Sequence, residues 1–330
     1  MSPRHVTVAW MAVVLTACSS AVGDGGSIVG APGPGPIGDG PGAASPPSGS
    51  SATPNDAGAT GSNAPPSGSS TGAGAVEEDA GSPPPPPTAG TDAGSSCAGA
   101  IVCEDFESFP AGALDLPDAG ATWQIETPDC SGTGALVIDA SEAHSGARSL
   151  KVTGAAGYCN HVFLGTGAVA SLSGDVWARF YVRLATPLDM DHATLLAMRD
   201  TSTNTDLRMG GQDSVLMWNR ESDDATLPAM SPMGTALSLA PATNAWHCVE
   251  LDVSATGPTL STWVDGALVT GLVAGGSDAN PTADGQWVSN ATWAPHLVDA
   301  RFGWESYASE AETLWFDDVA IGAQRIGCGS

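Results

Sequence analysis

The 330-residue chain predicts an all-β fold over residues 97–330, an antiparallel sandwich, on three observations. Short runs of alternating apolar and polar residues recur there between Gly, Asp, Asn and Pro, which is the period of half-buried strands. Long stretches with the 3.6-residue apolar spacing of a helix are absent. Every Phe and Tyr, and every Trp except Trp10, lies in this region, so the material for one large core is concentrated in it.

The chain begins with an export signal. Arg4 and His5 give a weakly basic start, and residues 6–15 form an apolar run too short to span a bilayer. Leu15, Thr16, Ala17 and Cys18 then form the tetrad at which a lipoprotein signal is cleaved and the cysteine lipidated. Residues 1–17 are therefore expected to be removed, leaving a lipid on Cys18. Two or three acyl chains hold a protein on a membrane where one does not. Ser19 after the cysteine resembles the pattern sorted to the outer membrane, which implies an outer-membrane lipoprotein on its surface or periplasmic face.

Residues 18–96 read as the lipidated cysteine and a tether. After Cys18 there is no aromatic residue, Lys or Arg, and Gly, Ala, Ser, Pro, Thr and Asp dominate. Such a composition cannot bury enough apolar surface to offset the entropy of ordering. As a coil it reaches roughly 50 Å root-mean-square, with the Pro83 to Pro87 run as a stiffer polyproline II element.

The folding region carries a net charge of about −20 at neutral pH, which makes nucleic acid and anionic lipid poor partners. The lipid on Cys18 is the expected membrane contact. Six cysteines remain beyond Cys18, an even number in an exported chain, and imply three disulfides whose pairing spacing alone leaves open. None has the paired spacing of a zinc site.

Strands are expected at 149–152, 161–164, 175–184, Trp246–Val253, 300–304 and 313–321. A hairpin is expected at 260–268, where Asp265-Gly266 tolerates the positive φ of a type I′ turn. The 175–184 strand has two unlike faces. Val176, Ala178, Phe180, Val182 and Leu184 point to the core; Trp177, Arg179, Tyr181 and Arg183 point away from it. That aromatic and arginine ladder suits a sugar groove, and equally an outer face of cation–π pairs.

Several segments carry a resemblance. They are Glu104 to Ser108, Thr127 to Cys130, Ala143 to Gly146, Gly157-Tyr158-Cys159, Leu207 to Gln212, Asn219 to Pro228, Phe302 to Glu305 and Trp315 to Asp318. In order and over most of residues 103–329 they closely resemble the cellulose-induced secreted protein family. The resemblance implies a concanavalin A-like β-jelly-roll sandwich of two antiparallel sheets, related to polysaccharide lyases, with activity on glucuronic-acid polymers attributed to the family.

Of the family's groove positions, Arg208, Gln212 and Asp224 match, while Asp206 stands where the family has a histidine. A lyase acting by β-elimination needs cations or amides on the substrate carboxylate, plus a base and an acid. Arg208 and Gln212 suit the first task; Tyr307 and His192 are candidates for the second. Trp177, Arg179, Arg183 and Trp218 are expected to line the same groove.

The resemblance further implies pairs Cys130–Cys159 and Cys248–Cys328, which leaves Cys97 with Cys103. It also implies a structural calcium ion on Glu107, Ser145, Asp317 and the main-chain oxygen of Arg148. The expected partner is a polysaccharide containing uronic acid, bound by a monomer. Three classes stay open: a polysaccharide lyase, a non-catalytic carbohydrate-binding lipoprotein of biomass degradation, and a structural surface protein.

Overall fold

The computed structural model describes residues 97–114, 116, 122–126, 132–230 and 232–329. The signal, Cys18, the tether and Cys130 lie outside the described residues. In chain order the strands are β1 (Ala100–Glu104), β2 (Gly112–Ala113), β3 (Gln124–Glu126), β4 (Ala135–Asp139), β5 (Ser149–Thr153) and β6 (Asn160–Thr166). Then come β7 (Val176–Leu184), β8 (Ala193–Asp200), β9 (Thr205–Gln212), β10 (Val215–Arg220) and β11 (Ala225–Leu227). After the short helix α1 (Pro232–Leu237) follow β12 (Trp246–Val253), β13 (Leu260–Val264) and β14 (Ala267–Ala274). Helix α2 (Pro281–Ser289) precedes β15 (Ala300–Ser306) and β16 (Thr313–Gly322).

The strands form two antiparallel sheets, a jelly-roll sandwich. One has nine strands in the order β14-β13-β12-β7-β16-β5-β4-β2, with β1 pairing on β16. The other has seven, in the order β11-β10-β9-β8-β15-β6-β3. The β13–β14 hairpin turns through Asp265 at φ 51° and Gly266 at φ 78°, the pair of left-handed residues that a type I′ turn requires.

Inward-facing residues from both sheets fill the space between them. Phe180 of β7 and Phe316 of β16 meet Phe302 of β15 from the opposite sheet, with ring centroids 5.4 to 5.9 Å apart. Each such buried side chain contributes about 2–3 kcal/mol of apolar burial. Trp218 of β10 is 0% exposed in this layer, and its Nε1 donates to Thr262 Oγ1 of β13 at 2.9 Å. The indole therefore crosslinks the two sheets from within the core and does not line a groove.

Both faces of the 175–184 strand point as expected, and of the two readings of its outward ladder the structure supports the outer face of cation–π pairs. Val176, Ala178, Phe180, Val182 and Leu184 are buried in the core. The opposite face is covered by two other segments of the same chain, one around residues 97–103, where Cys97 pairs with Cys103, and one around 325–329, where Cys328 pairs with Cys248. Arg179 is only 1% exposed, with its guanidinium 5.7 Å from the Tyr181 ring centroid and Nη2 4.0 Å from Cys97 Sγ. Trp177 stacks on Trp263, and Arg325, itself paired with Glu250 at 2.8 Å, lies 4.3 Å over that second indole. Arg183 lies 4.8 Å over Trp315 and pairs with Glu142 at 3.5 Å. The ladder is an outer layer of packed cation–π contacts, on the sheet opposite Arg208. Trp177, Arg179 and Arg183 therefore share no groove with Arg208.

Candidate functional site

Strand parity sets the outer face of the seven-stranded sheet. Val162 and Leu164 of β6 face the core, so His161 and Phe163 face out. Phe302 and Trp304 of β15 face the core, so Arg301 and Glu305 face out, with Glu305 directly across from His161. Leu207 and Met209 of β9 turn Asp206 and Arg208 outward in the same way. Small Ala197 of β8 is registered between Arg301 and Arg208, and Asn219 of β10 lies opposite Arg208. His161, Phe163, Asp206, Arg208, Asn219, Arg301 and Glu305 floor a cavity of about 320 Å³ rimmed by Tyr158, His192, Glu221, Asp224 and Tyr307.

A continuous stack runs along one wall. The Arg208 guanidinium lies 5.2 Å over the Tyr307 ring, and that ring stacks on His192 at 4.9 Å between centroids with 11° between planes. Arg208 Nη2 also pairs with Glu221. Burial, followed by the Glu305 carboxylate that its hydroxyl meets, pushes the Tyr307 phenol far above the usual tyrosine range. Burial and then the Arg208 charge push His192 down to about 4. At neutral pH the site therefore holds a protonated phenol beside a neutral imidazole.

The remaining acids are differently placed. Asp206 is clamped by Arg301 at 2.7 Å and Arg199 at 3.3 Å, so it forms part of a charge lattice and is no replacement for a mobile histidine. Asp224, in the left-handed region at φ 53°, accepts a hydrogen bond from Asn219 Nδ2 at 2.9 Å. Burial raises Glu305 above the carboxylate range. His161 is 2% exposed and makes no hydrogen bond from either ring nitrogen among the described residues; its Nδ1 lies 3.8 Å from Glu305 Oε1. Ligand-type atoms of Cys159, His161 and Glu305 approach within 4.8 Å of one another. Cys159 is disulfide-bonded, so it offers no thiolate, and two residues do not make a metal site.

Of the residues expected at the groove, Arg208, His192, Tyr307 and Asp224 come together. Gln212 shares the outward face of β9 but stands at the strand's end, outside the cavity lining. Glu305, His161, Arg301, Asn219, Glu221 and Tyr158 are the additions. Alternation could have found three of them, because 301, 303, 305 and 307 must share a face once a strand covers 300–304, and 161 lies in another expected strand. Tyr158 is 81% exposed, the most exposed large hydrophobic residue among those described, and its ring meets Tyr307 edge-on at 5.8 Å.

Glu107 and Asp317 both bind the loop that carries Ser145 and Arg148, the four residues expected to hold calcium. Glu107 Oε1 accepts the Ala147 and Arg148 amides at 2.6 and 2.7 Å. Asp317 Oδ2 accepts those of His144 and Ser145 at 2.7 and 3.2 Å. Gly146 at φ 60° lets the loop close here, since a Cβ at this position would lie 2.4 Å from Glu107 Oε1. Asp317 is fully buried, and burial together with Asp318 pushes it up to about 7. Asp317 lies beside Asp318, and with Glu107 they offer carboxylate oxygens, the ligand type calcium takes, along the 144–148 loop.

Comparison with curated proteins finds no match. Among solved structures, the chain resembles one described as cellulose induced protein Cip1. The two are 40% identical over 69% of this chain and 100% of the other, with a TM-score of 0.61. An endo-β-1,4-glucuronan lyase from the fungus Trichoderma reesei is 15% identical over 68% of this chain and 96% of its own, with a TM-score of 0.42. A family model for the Cip1-like core domain, of polysaccharide lyase-like type, matches residues 115–324. The chain belongs to this Cip1-like family.

Proposed function

We propose that the groove of the seven-stranded sheet binds an acidic polysaccharide and cleaves it by β-elimination at a uronic acid residue. The observation that carries the reading is the stack of Arg208, Tyr307 and His192, which puts a cation, a protonated phenol and a neutral imidazole side by side. Membership of a polysaccharide lyase-like family supports a carbohydrate-related role.

In this reading Arg208 holds the C6 carboxylate and disperses the charge that develops on it as C5 loses its proton. Neutral His192 accepts that proton, the C4–O4 bond breaks as the C4=C5 double bond forms, and Tyr307 protonates the departing oxygen. The proton acceptor and donor are stacked neighbours, so both steps take place on one side of the sugar. That geometry fits syn elimination, and hence uronates whose C5–H and C4–O are cis, as in gluco- and manno-configured chains. Galacturonates, with these bonds trans, fit poorly.

Glu107, Asp317, Ser145 and the Arg148 main chain would hold a calcium ion, which would clip the segment after β1, the β4–β5 loop and β16 together. The lipid on Cys18 and the outer-membrane location complete the proposal and place the domain on a long tether. The clamped Asp206 favours a second reading, carbohydrate binding without catalysis, because no histidine occupies that position. A screen of glucuronan, alginate, pectin and xylan separates the two. Ultraviolet-absorbing unsaturated ends from the first two support the lyase, and saturable binding without product supports the module.

A further inference from the structure

The cation assigned to the substrate carboxylate is already engaged. Arg208 Nη2 pairs with Glu221, whose other oxygen, Oε2, accepts the Asp206 amide at 2.7 Å. The Arg208 side chain is 12% exposed and that of Glu221 38%, so the acid is the accessible partner of the two. Arg301, the other guanidinium of the groove, is 1% exposed and surrounded by Asp206, Asp299 and Glu126. Four acids, Asp206, Glu221, Asp224 and Glu305, thus line the cavity with two arginines. A uronate carboxylate added on top of the existing pairs would enter a site already in excess of negative charge. Exchange for one of those acids leaves the balance on Arg208 unchanged.

We propose that Glu221 is the specificity-determining residue of the groove: its carboxylate occupies the seat on Arg208 that a uronate carboxylate takes, and binding exchanges one for the other. This rests on the reading of Arg208 as the uronate anchor. Glu221 opens the exposed turn between β10 and β11, so its side chain swings to solvent without disturbing a strand. The Glu221 amide stays bonded to the Asp206 carbonyl at 3.1 Å and keeps the turn in place. Neutral sugars, with no carboxylate to compete for Arg208, leave the Glu221 pair intact. The groove therefore discriminates between acidic and neutral chains by how well the incoming carboxylate outcompetes an internal one.

The test is calorimetric binding of glucuronate oligomers and of neutral xylose oligomers of equal length to the full chain, as wild type, Glu221→Gln and Arg208→Ala. Glu221→Gln should bind the glucuronate oligomer about fivefold more tightly, the scale of removing a part-exposed competing ion pair, and bind the neutral oligomer as wild type does. Unchanged glucuronate affinity in Glu221→Gln, with the Arg208→Ala loss intact, overturns the exchange and leaves the anchor standing. A loss in Glu221→Gln matching that of Arg208→Ala makes Glu221 a support for the arginine and also overturns it. Wild-type affinity in Arg208→Ala removes the anchor itself. Thermal melts of each variant, with Glu221→Asp as a second substitution, separate lost folding from lost binding.

Discussion

Replacing His192 with Asn removes the group whose charge state the groove alters most usefully. The folded protein holds this imidazole down to about 4, against an ordinary value of 6.5, through burial first and the Arg208 charge second. Between those two values the unfolded chain binds a proton that the folded chain does not. Stability from this source is thus complete above the unfolded value and is lost as pH falls through the folded one. By about pH 5 the loss comes to about 2 kcal/mol, and the asparagine variant has no such component. Urea unfolding of both proteins at about pH 7 and about pH 5 should show the wild type losing about 2 kcal/mol more. Carboxylates raised by burial, such as Glu104 and Glu126, shift stability in the opposite sense, but they are common to both proteins and cancel in the difference. Equal losses in the two proteins would show that His192 is not held neutral, and its role as a neutral base would fall with it.

Three further outcomes follow from the same geometry. Arg208→Ala should weaken uronate binding by about 2 kcal/mol, read by calorimetry, with the wild-type affinity falling as salt rises. Tyr158→Ala should weaken oligosaccharide binding about fivefold while Tyr158→Phe leaves it unchanged, because the exposed ring stacks sugar faces at the groove mouth. Calcium at a hundredfold excess over its dissociation constant should add about 3 kcal/mol, roughly 5–10 °C in melting temperature, and Asp317→Asn should abolish the gain.

Much of the nine-stranded sheet was legible because its strands alternate cleanly. The Trp246–Val253 strand and the Asp265-Gly266 turn appear as expected, each from local chemistry alone. The sheet that carries the groove was harder to read. β8 is a nearly continuous apolar run, ambiguous between strand and buried helix, and β9 contains Gly210-Gly211, which weakens any strand signal. The ladder on β7 left two readings open for a different reason. Period two shows which residues leave the core, but not that disulfide-tied segments distant in sequence return to cover them. Trp218 shows the same limit: a tryptophan beside a groove segment sits in the core because alternation on β10 turns it inward, toward Thr262. Arg208 and Asp224 were identified by resemblance to a family. The roles of Glu305 and His161 depend on cross-strand register, and that of Glu221 on a turn that meets Asp206, neither of which spacing along the chain encodes.

The central claim is that the stacked Tyr307 and His192 perform a syn elimination beside Arg208. Its most direct test is the ultraviolet absorbance of unsaturated ends released from glucuronan and from polygalacturonate by the wild type and by Tyr307→Phe, which keeps the ring and removes the proton. The account predicts product from glucuronan with the wild type, little from polygalacturonate, and none with the variant while glucuronate binding persists. Undiminished product from Tyr307→Phe, or glucuronan bound by the wild type and never cleaved, would contradict it.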